Sequence, residues 1–244
     1  MQSRLIAEIT PHLISYFGTR LPELKNTYKW SISKKPLWGN LAGKDDYHSN
    51  LKLKQLLSGQ WSEATTEHDR LVVARKVISD WGGINRISDT TLKKHINLAL
   101  NQDDNFSIDG VASYSKLLAI ADPDKYAIYD ARVAVSLNAI QDLTQTKGVY
   151  FQYLKGRNKI TGDQLKKRGF VFTYPFTEHD LLNQGWYRIP KNDVYITYIN
   201  LLRQCASELK HDGILDLEMI LFSDAEKLAL EATKQRGVSL QQPN

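Results

Sequence analysis

Residues 91–140 read TLKKHINLALNQDDNFSIDGVASYSKLLAIADPDKYAIYDARVAVSLNAI. Leu92, Ile96 and Ala99 recur at helical spacing and mark a helix capped by Asp89, and the polar run Gln102-Asp103-Asp104-Asn105 breaks the pattern. Gly110-Val111 then opens a short second helix, Asp122-Pro123-Asp124 closes it, and Asp130 stands just before a third apolar stripe of Val133, Leu137 and Ile140. Apolar residues three and four apart share one helix face, and an aspartate immediately before such a stripe is placed to accept from the unpaired N–H groups of the first turn. The stretch therefore predicts helix, hairpin, helix, and then a capped helix. A glycine between two helices frees the backbone to approach a phosphate and leaves the N–H groups of the next helix directed at it.

Within the short helix, Tyr114, Leu117, Leu118 and Ala121 fall on one face, which puts Lys116 on the opposite side, toward solvent or a cleft. There Lys116 is available, and reads as a solvated lysine or a phosphate contact. Asp130 likewise reads as a helix cap or as a carboxylate that stabilises positive charge. The two roles are compatible, because the helix dipole favours negative charge at that position.

Outward from this segment the periodicity stays helical and strand-type alternation is almost absent, so the fold class is mainly α with little or no sheet. Val194, Tyr198, Leu201, Leu202, Cys205 and Leu209 make one stripe between Pro190 and Gly213, and Leu217, Ile220, Leu221 and Leu228 make the next, ending at Gly237. Leu71, Ala74 and Ile78 mark a helix running to Trp81-Gly82-Gly83. Residues 20–60 and 146–190 read as irregular, with Pro22, Pro36 and several glycines in the first and glycine, basic and aromatic residues in the second. The 244 residues form one helical unit or two lobes, with the helix-hairpin-helix segment at about 91–140.

Composition narrows the classes. The hydrophobic share of 42% suits a chain that buries a core. No stretch approaches the roughly 18 apolar residues of a membrane span, and Met1-Gln2-Ser3-Arg4 leads into an amphipathic segment rather than a signal-peptide core, so the chain reads as cytoplasmic. The single cysteine, Cys205, excludes an internal disulfide and lies on an apolar stripe. The excess of 32 Lys+Arg over 27 Asp+Glu, a formal net charge of +5, favours polyanionic partners.

The run Gly110-Val111-Ala112-Ser113-Tyr114-Ser115-Lys116-Leu117-Leu118, continuing to Ile128-Tyr129-Asp130-Ala131-Arg132-Val133, resembles the hairpin and catalytic-aspartate segment of the helix-hairpin-helix DNA glycosylases, and among them bacterial proteins with an 8-oxoguanine glycosylase fold. Asp130-x-Arg132-Val133 matches the end of the family's motif. Ala112 stands where the family has a second hairpin glycine, Lys116 lies about one helical turn closer to the aspartate than the family's lysine does, and cluster cysteines are absent. The resemblance implies a base-excision repair hydrolase that flips a damaged or modified base out of duplex or single-stranded DNA and breaks its glycosidic bond without metal or organic cofactor. Asp130 would be the electrostatic stabiliser or water activator, and Lys116 would form a Schiff base with the sugar and confer β-lyase activity. Gly110, Ser113, Ser115 and Arg132 would be DNA contacts. The alternative is a DNA-binding module that keeps the scaffold without catalysis, acting with protein partners. A helical interaction protein with no nucleic-acid role would leave the basic loop unexplained.

That loop, Tyr150 to Phe176, interleaves cations with rings, and Lys155, Arg157 and Lys159 at its exposed turn are further candidate DNA contacts. Its rings read as base-stacking residues or as core. Trp38, Trp61, Phe172 and Trp186 are candidates to stack on a flipped base. Thr-Glu-His-Asp occurs twice, at Thr66–Asp69 and Thr177–Asp180; threonine with an acid three residues later is a helix-start signature, and the spacing is not that of paired-histidine metal sites.

Overall fold

The structure, a computed structural model, describes residues 1–32, 38, 41, 45–101, 106–146, 148–156, 158–162 and 169–240. It is mainly helical. In chain order come α1 (Gln2–Arg20), α2 (Leu24–Thr27), α3 (Asp46–Glu63), α4 (Glu67–Arg75), α5 (Asp89–Asn101), α6 (Val111–Ala121) and α7 (Ala131–Leu143). The chain continues through β1 (Val149–Tyr150), α8 (Glu178–Asn183), β2 (Tyr187–Arg188), α9 (Val194–Leu209) and α10 (Leu215–Gln235). The two short strands pair in parallel, Val149 opposite Tyr187 and Tyr150 opposite Arg188. Among the described residues no helix is long and apolar enough to cross a membrane.

Helix starts reflect side-chain chemistry. Thr66 and Thr177 accept from the N–H groups of Asp69 and Asp180 and cap α4 and α8, so both Thr-Glu-His-Asp runs are helix starts. Two expectations need correction. Ser88 rather than Asp89 caps α5: Ser88 Oγ accepts from Thr91 N–H at 3.2 Å, while Asp89 pairs with Arg75. Residues 46–60, read as irregular, belong to α3. The buried face of α3 is Tyr47, Asn50, Leu53, Lys54, Leu57 and Trp61, and the asparagine and lysine interrupt the apolar stripe by which a helix is recognised.

The interior is built as two apolar clusters that share α6. Val111, Tyr114 and Leu118 of α6 join the first, with Ile9, Leu13 and Phe17 of α1 and the buried faces of α7, α9 and α10. Leu117 and Ile120 join the second, with Leu53 and Leu57 of α3, Val73 and Ala74 of α4, and Leu92 and Ile96 of α5. Between α4 and α5 the chain makes a π-helical turn at Lys76–Trp81, which also touches α6. One wider turn of this kind shifts the register of a helix and re-aims the chain beyond it.

The extended segment between α6 and α7 is held by buried tyrosines. Tyr195 O–H donates to the Ala127 carbonyl and Tyr198 O–H to the Ile128 carbonyl, both at 2.9 Å, and Tyr129 O–H donates to the Gln152 carbonyl at 3.0 Å. Buried carbonyls outside a helix need such donors. The start of α7 is thereby fixed against α9 and the chain beyond β1.

Candidate active site

Asp130 is the N-cap of α7. Its Oδ1 accepts from the N–H groups of Arg132 at 2.9 Å and Val133 at 3.1 Å. Both bonds fall on one oxygen, so capping does not use Oδ2. A cap and a reacting carboxylate can therefore coexist in one side chain.

Lys116 stands on α6, one residue after Ser115. Its Nζ donates to the Ala112 carbonyl one turn back at 2.6 Å. Its stem runs over Gly82 at the end of the π-helical turn, where an added Cβ would come 2.7 Å from Lys116 Cδ. The residue as a whole is half-buried, but the amino group is densely surrounded by protein. Burial pushes its basicity below the ordinary lysine range, the carboxylates of Asp130 and Glu218 act in the opposite direction, and the Lys54 ammonium adds repulsion. Lys116 thus lies against Gly82 and the Ala112 carbonyl, on the helix that both apolar clusters share.

Lys54 and Glu218 were not singled out by sequence reasoning. Lys54 Nζ of α3 lies 2.7 Å from Glu218 Oε2 of α10, and both side chains are buried. Burial pushes the Glu218 carboxyl up, against the pull of Lys54. The Trp81 ring lies 5.9 Å from Lys54 Nζ. The only local signal was a charge inside each apolar stripe: Lys54 between Leu53 and Leu57, and Glu218 between Leu217 and Met219. Their pairing joins residues 164 positions apart.

The remaining candidates divide. Gly110 has φ +80, the left-handed conformation that glycine adopts freely, and is exposed at the hairpin. Lys155 and Lys159 are exposed, and Arg157 lies outside the described residues. Three assignments to DNA contact need correction. Ser113 is buried, donates to the Gly110 carbonyl at 2.7 Å and meets His95 Nε2 at 3.0 Å, so it locks the hairpin from inside. Ser115 is fully buried and bonds Tyr129. Arg132 commits all three guanidinium nitrogens internally, to the carbonyls of Phe222 and Ser223 and to Glu226, and its plane lies over Trp30 and Phe222. Trp38, Trp61 and Trp186 are core, whereas Phe172 is exposed; Trp30, 43% exposed, is the indole packed beside Arg132 and Phe222. In the basic–aromatic loop Tyr150, Phe151, Phe170 and Phe176 are buried, so these four rings build the core. Lys166, Lys167 and Arg168 lie outside the described residues.

Comparison with protein-family models, curated proteins and solved structures returns no significant match.

Proposed function

We propose that this protein is a DNA glycosylase with lyase activity, in which Lys116 is the nucleophile and Asp130 the carboxylate that faces the developing positive charge. The observation that carries the reading is the bond of Ser115 with Tyr129, which ties α6 to the start of α7 one residue before Lys116 and Asp130, together with the burial that lowers the basicity of the amine. An amine attacks carbon only when unprotonated, and desolvation is the means by which proteins supply that form near neutral pH. In the proposed reaction the Lys116 nitrogen bonds C1′ of an extruded nucleotide while the C1′–N bond breaks and the base departs with its electron pair. Loss of a proton from the nitrogen and opening of the sugar ring give a Schiff base, from which β-elimination expels the 3′ phosphate. Asp130 opposes the cationic character of the sugar through Oδ2. The net charge of +5, the exposed Gly110 hairpin and the exposed Lys155 and Lys159 are consistent with a phosphate backbone as ligand.

A second reading, DNA binding without catalysis, draws on the hydrogen bond between Lys116 Nζ and the Ala112 carbonyl, which must break before the amine can attack. One experiment separates the two. Duplex and single-stranded DNAs carrying a panel of damaged or modified bases are incubated with the wild-type, Asp130→Asn and Lys116→Gln proteins, and base release and borohydride-trapped adducts are read. The enzyme reading expects release that falls at least about a hundredfold in Asp130→Asn and an adduct that is lost in Lys116→Gln. Salt-sensitive binding with neither release nor adduct on any substrate overturns it in favour of the second.

A further inference from the structure

The segment Phe170–Phe176 turns two of its rings inward and two outward. Phe170 and Phe176 stack in the core with ring centres 4.3 Å apart, whereas Phe172 is 42% exposed and Tyr174 72%. A single exposed ring is ordinary on a protein surface. Two of them, two residues apart, run against the burial of apolar area that placed their neighbours in the core.

The backbone holds the outward rings in place. Phe170 N–H donates to the Ile160 carbonyl at 2.7 Å and Val171 N–H to the Thr161 carbonyl at 3.2 Å. The Gly169 carbonyl accepts from Phe172 N–H at 3.1 Å and from Thr173 O–H at 2.8 Å. Beyond Tyr174, the Gln184 side-chain amide donates to the Pro175 carbonyl at 3.0 Å and Phe176 N–H to the Thr173 carbonyl at 2.8 Å. Gly169, at φ +88, lies so close to the facing segment that an added Cβ would stand 2.7 Å from the Lys159 carbonyl oxygen. A segment braced on both sides thus presents the two rings, and ordering them on a ligand costs little.

The facing segment reaches the candidate active site. A Cβ added to Gly156 would stand 2.8 Å from Ala131 Cβ, one residue from Asp130. Asn158 Nδ2 donates to Glu226 Oε1 at 2.7 Å, and the same oxygen accepts from Arg132 Nη1 at 2.8 Å. Lys155 and Lys159 are exposed on either side of these two contacts. Cations and open rings therefore occur together beside the start of α7.

We propose that Phe172 and Tyr174 form a stacking platform for the bases of single-stranded DNA, whose phosphates are met by Lys155 and Lys159. Within a duplex each base lies between its neighbours, and an unpaired base has a face to offer to a ring. Rings alone would suit an apolar protein partner equally well, but the two lysines and the net charge of +5 favour a polyanion. The choice of DNA over RNA rests on the glycosylase reading, which the platform deepens by making an unpaired strand the substrate. The platform itself rests on the geometry of the loop.

The test measures binding of undamaged oligonucleotides of one sequence, as single-stranded DNA, duplex DNA and RNA, by fluorescence anisotropy, so that no catalysis enters. Phe172→Ala and Tyr174→Ala are each expected to weaken single-strand binding at least about fivefold, the loss of one base–ring stack, and to weaken duplex binding less. Phe172→Leu and Tyr174→Leu keep apolar bulk without a ring and are expected to lose as much, whereas Phe172→Trp and Tyr174→Phe retain binding. Should an alanine variant fail to fold, the leucine variant carries the test. A 2-aminopurine placed in the single strand is expected to be quenched on the wild type and to stay bright on Phe172→Leu/Tyr174→Leu, a signature that a merely structural role would not give. Wild-type affinity in the leucine variants, equal losses on single strand and duplex, or tighter binding of the RNA than of the DNA overturns the proposal. The two readings fail separately. Ring-dependent single-strand binding without base release from any DNA sinks the glycosylase reading and leaves the platform standing, while base release by a protein whose ring variants bind as the wild type does sinks the platform alone.

Discussion

Ser115 and Tyr129, the residues immediately before Lys116 and Asp130, are bonded to each other in both directions. Tyr129 N–H donates to Ser115 Oγ at 3.1 Å, and Ser115 O–H lies 3.4 Å from the Tyr129 carbonyl. Both residues are fully buried. The separation of the two candidate catalytic side chains is thus set one residue upstream of each, by a bond that crosses from α6 to the start of α7.

Ser115→Ala leaves the buried Tyr129 N–H without that acceptor, which costs about 1–3 kcal/mol. The loss should appear as a lower urea midpoint with an unchanged slope. Base release and adduct formation, assayed well below that midpoint, are expected to fall further than stability does, since the registry of Lys116 and Asp130 goes with the bond. A variant as stable as wild type would show that the bond does not hold the segment.

Gly82 is the floor under the Lys116 stem. In Gly82→Ala the new Cβ would stand 2.7 Å from both the Ile78 carbonyl oxygen and Lys116 Cδ. Backbone cannot yield cheaply, so the variant is expected to lose about 1–3 kcal/mol by overpacking and to displace the lysine. Adduct trapping should drop at least about tenfold while DNA affinity holds. Equal trapping by the variant and the wild type would mean that the lysine does not depend on this contact.

The helices of the core were legible because their stripes are long and apolar, as in Val194–Leu209, and because their caps are local, as with Thr66, Thr177 and Asp130. Helix α3 was not, since Asn50 and Lys54 occupy positions where periodicity requires apolar residues. The pairing of Lys54 with Glu218 spans 164 residues and leaves no trace in local spacing. Arg132 misled for the same reason: beside Asp130 at a helix start it reads as exposed, yet the carbonyl that accepts from its Nε–H lies 90 residues on, at Phe222.

His95 should make the fold acid-sensitive. Burial lowers it from 6.5 to about 4, so between those values the unfolded chain binds a proton that the native one refuses. Where the unfolded state binds more protons, stability rises with pH, and it is therefore lost as pH falls from 6.5 toward 4. His95→Gln keeps a partner for Ser113 without titrating in that range. Its urea midpoint is expected to fall less steeply than that of the wild type from pH 6.5 to 4, and parallel curves would assign the acid sensitivity to other groups.

Arg132 and the loop lysines should separate in their response to salt. Each phosphate neutralised by a lysine contributes about 0.9 to the slope of log affinity against log salt on duplex DNA. Lys155→Ala and Lys159→Ala, both on the exposed turn, are each expected to flatten that slope by about this amount without loss of stability. Arg132→Ala is expected to behave in the opposite way. It strips hydrogen bonds from the Phe222 carbonyl and an ion pair from Glu226, whose carboxyl Arg132 holds below the usual range, so it should destabilise the fold by about 2–4 kcal/mol and leave the salt slope unchanged. A slope reduced by Arg132→Ala at full stability would return this residue to the DNA-facing surface, and with it the start of α7.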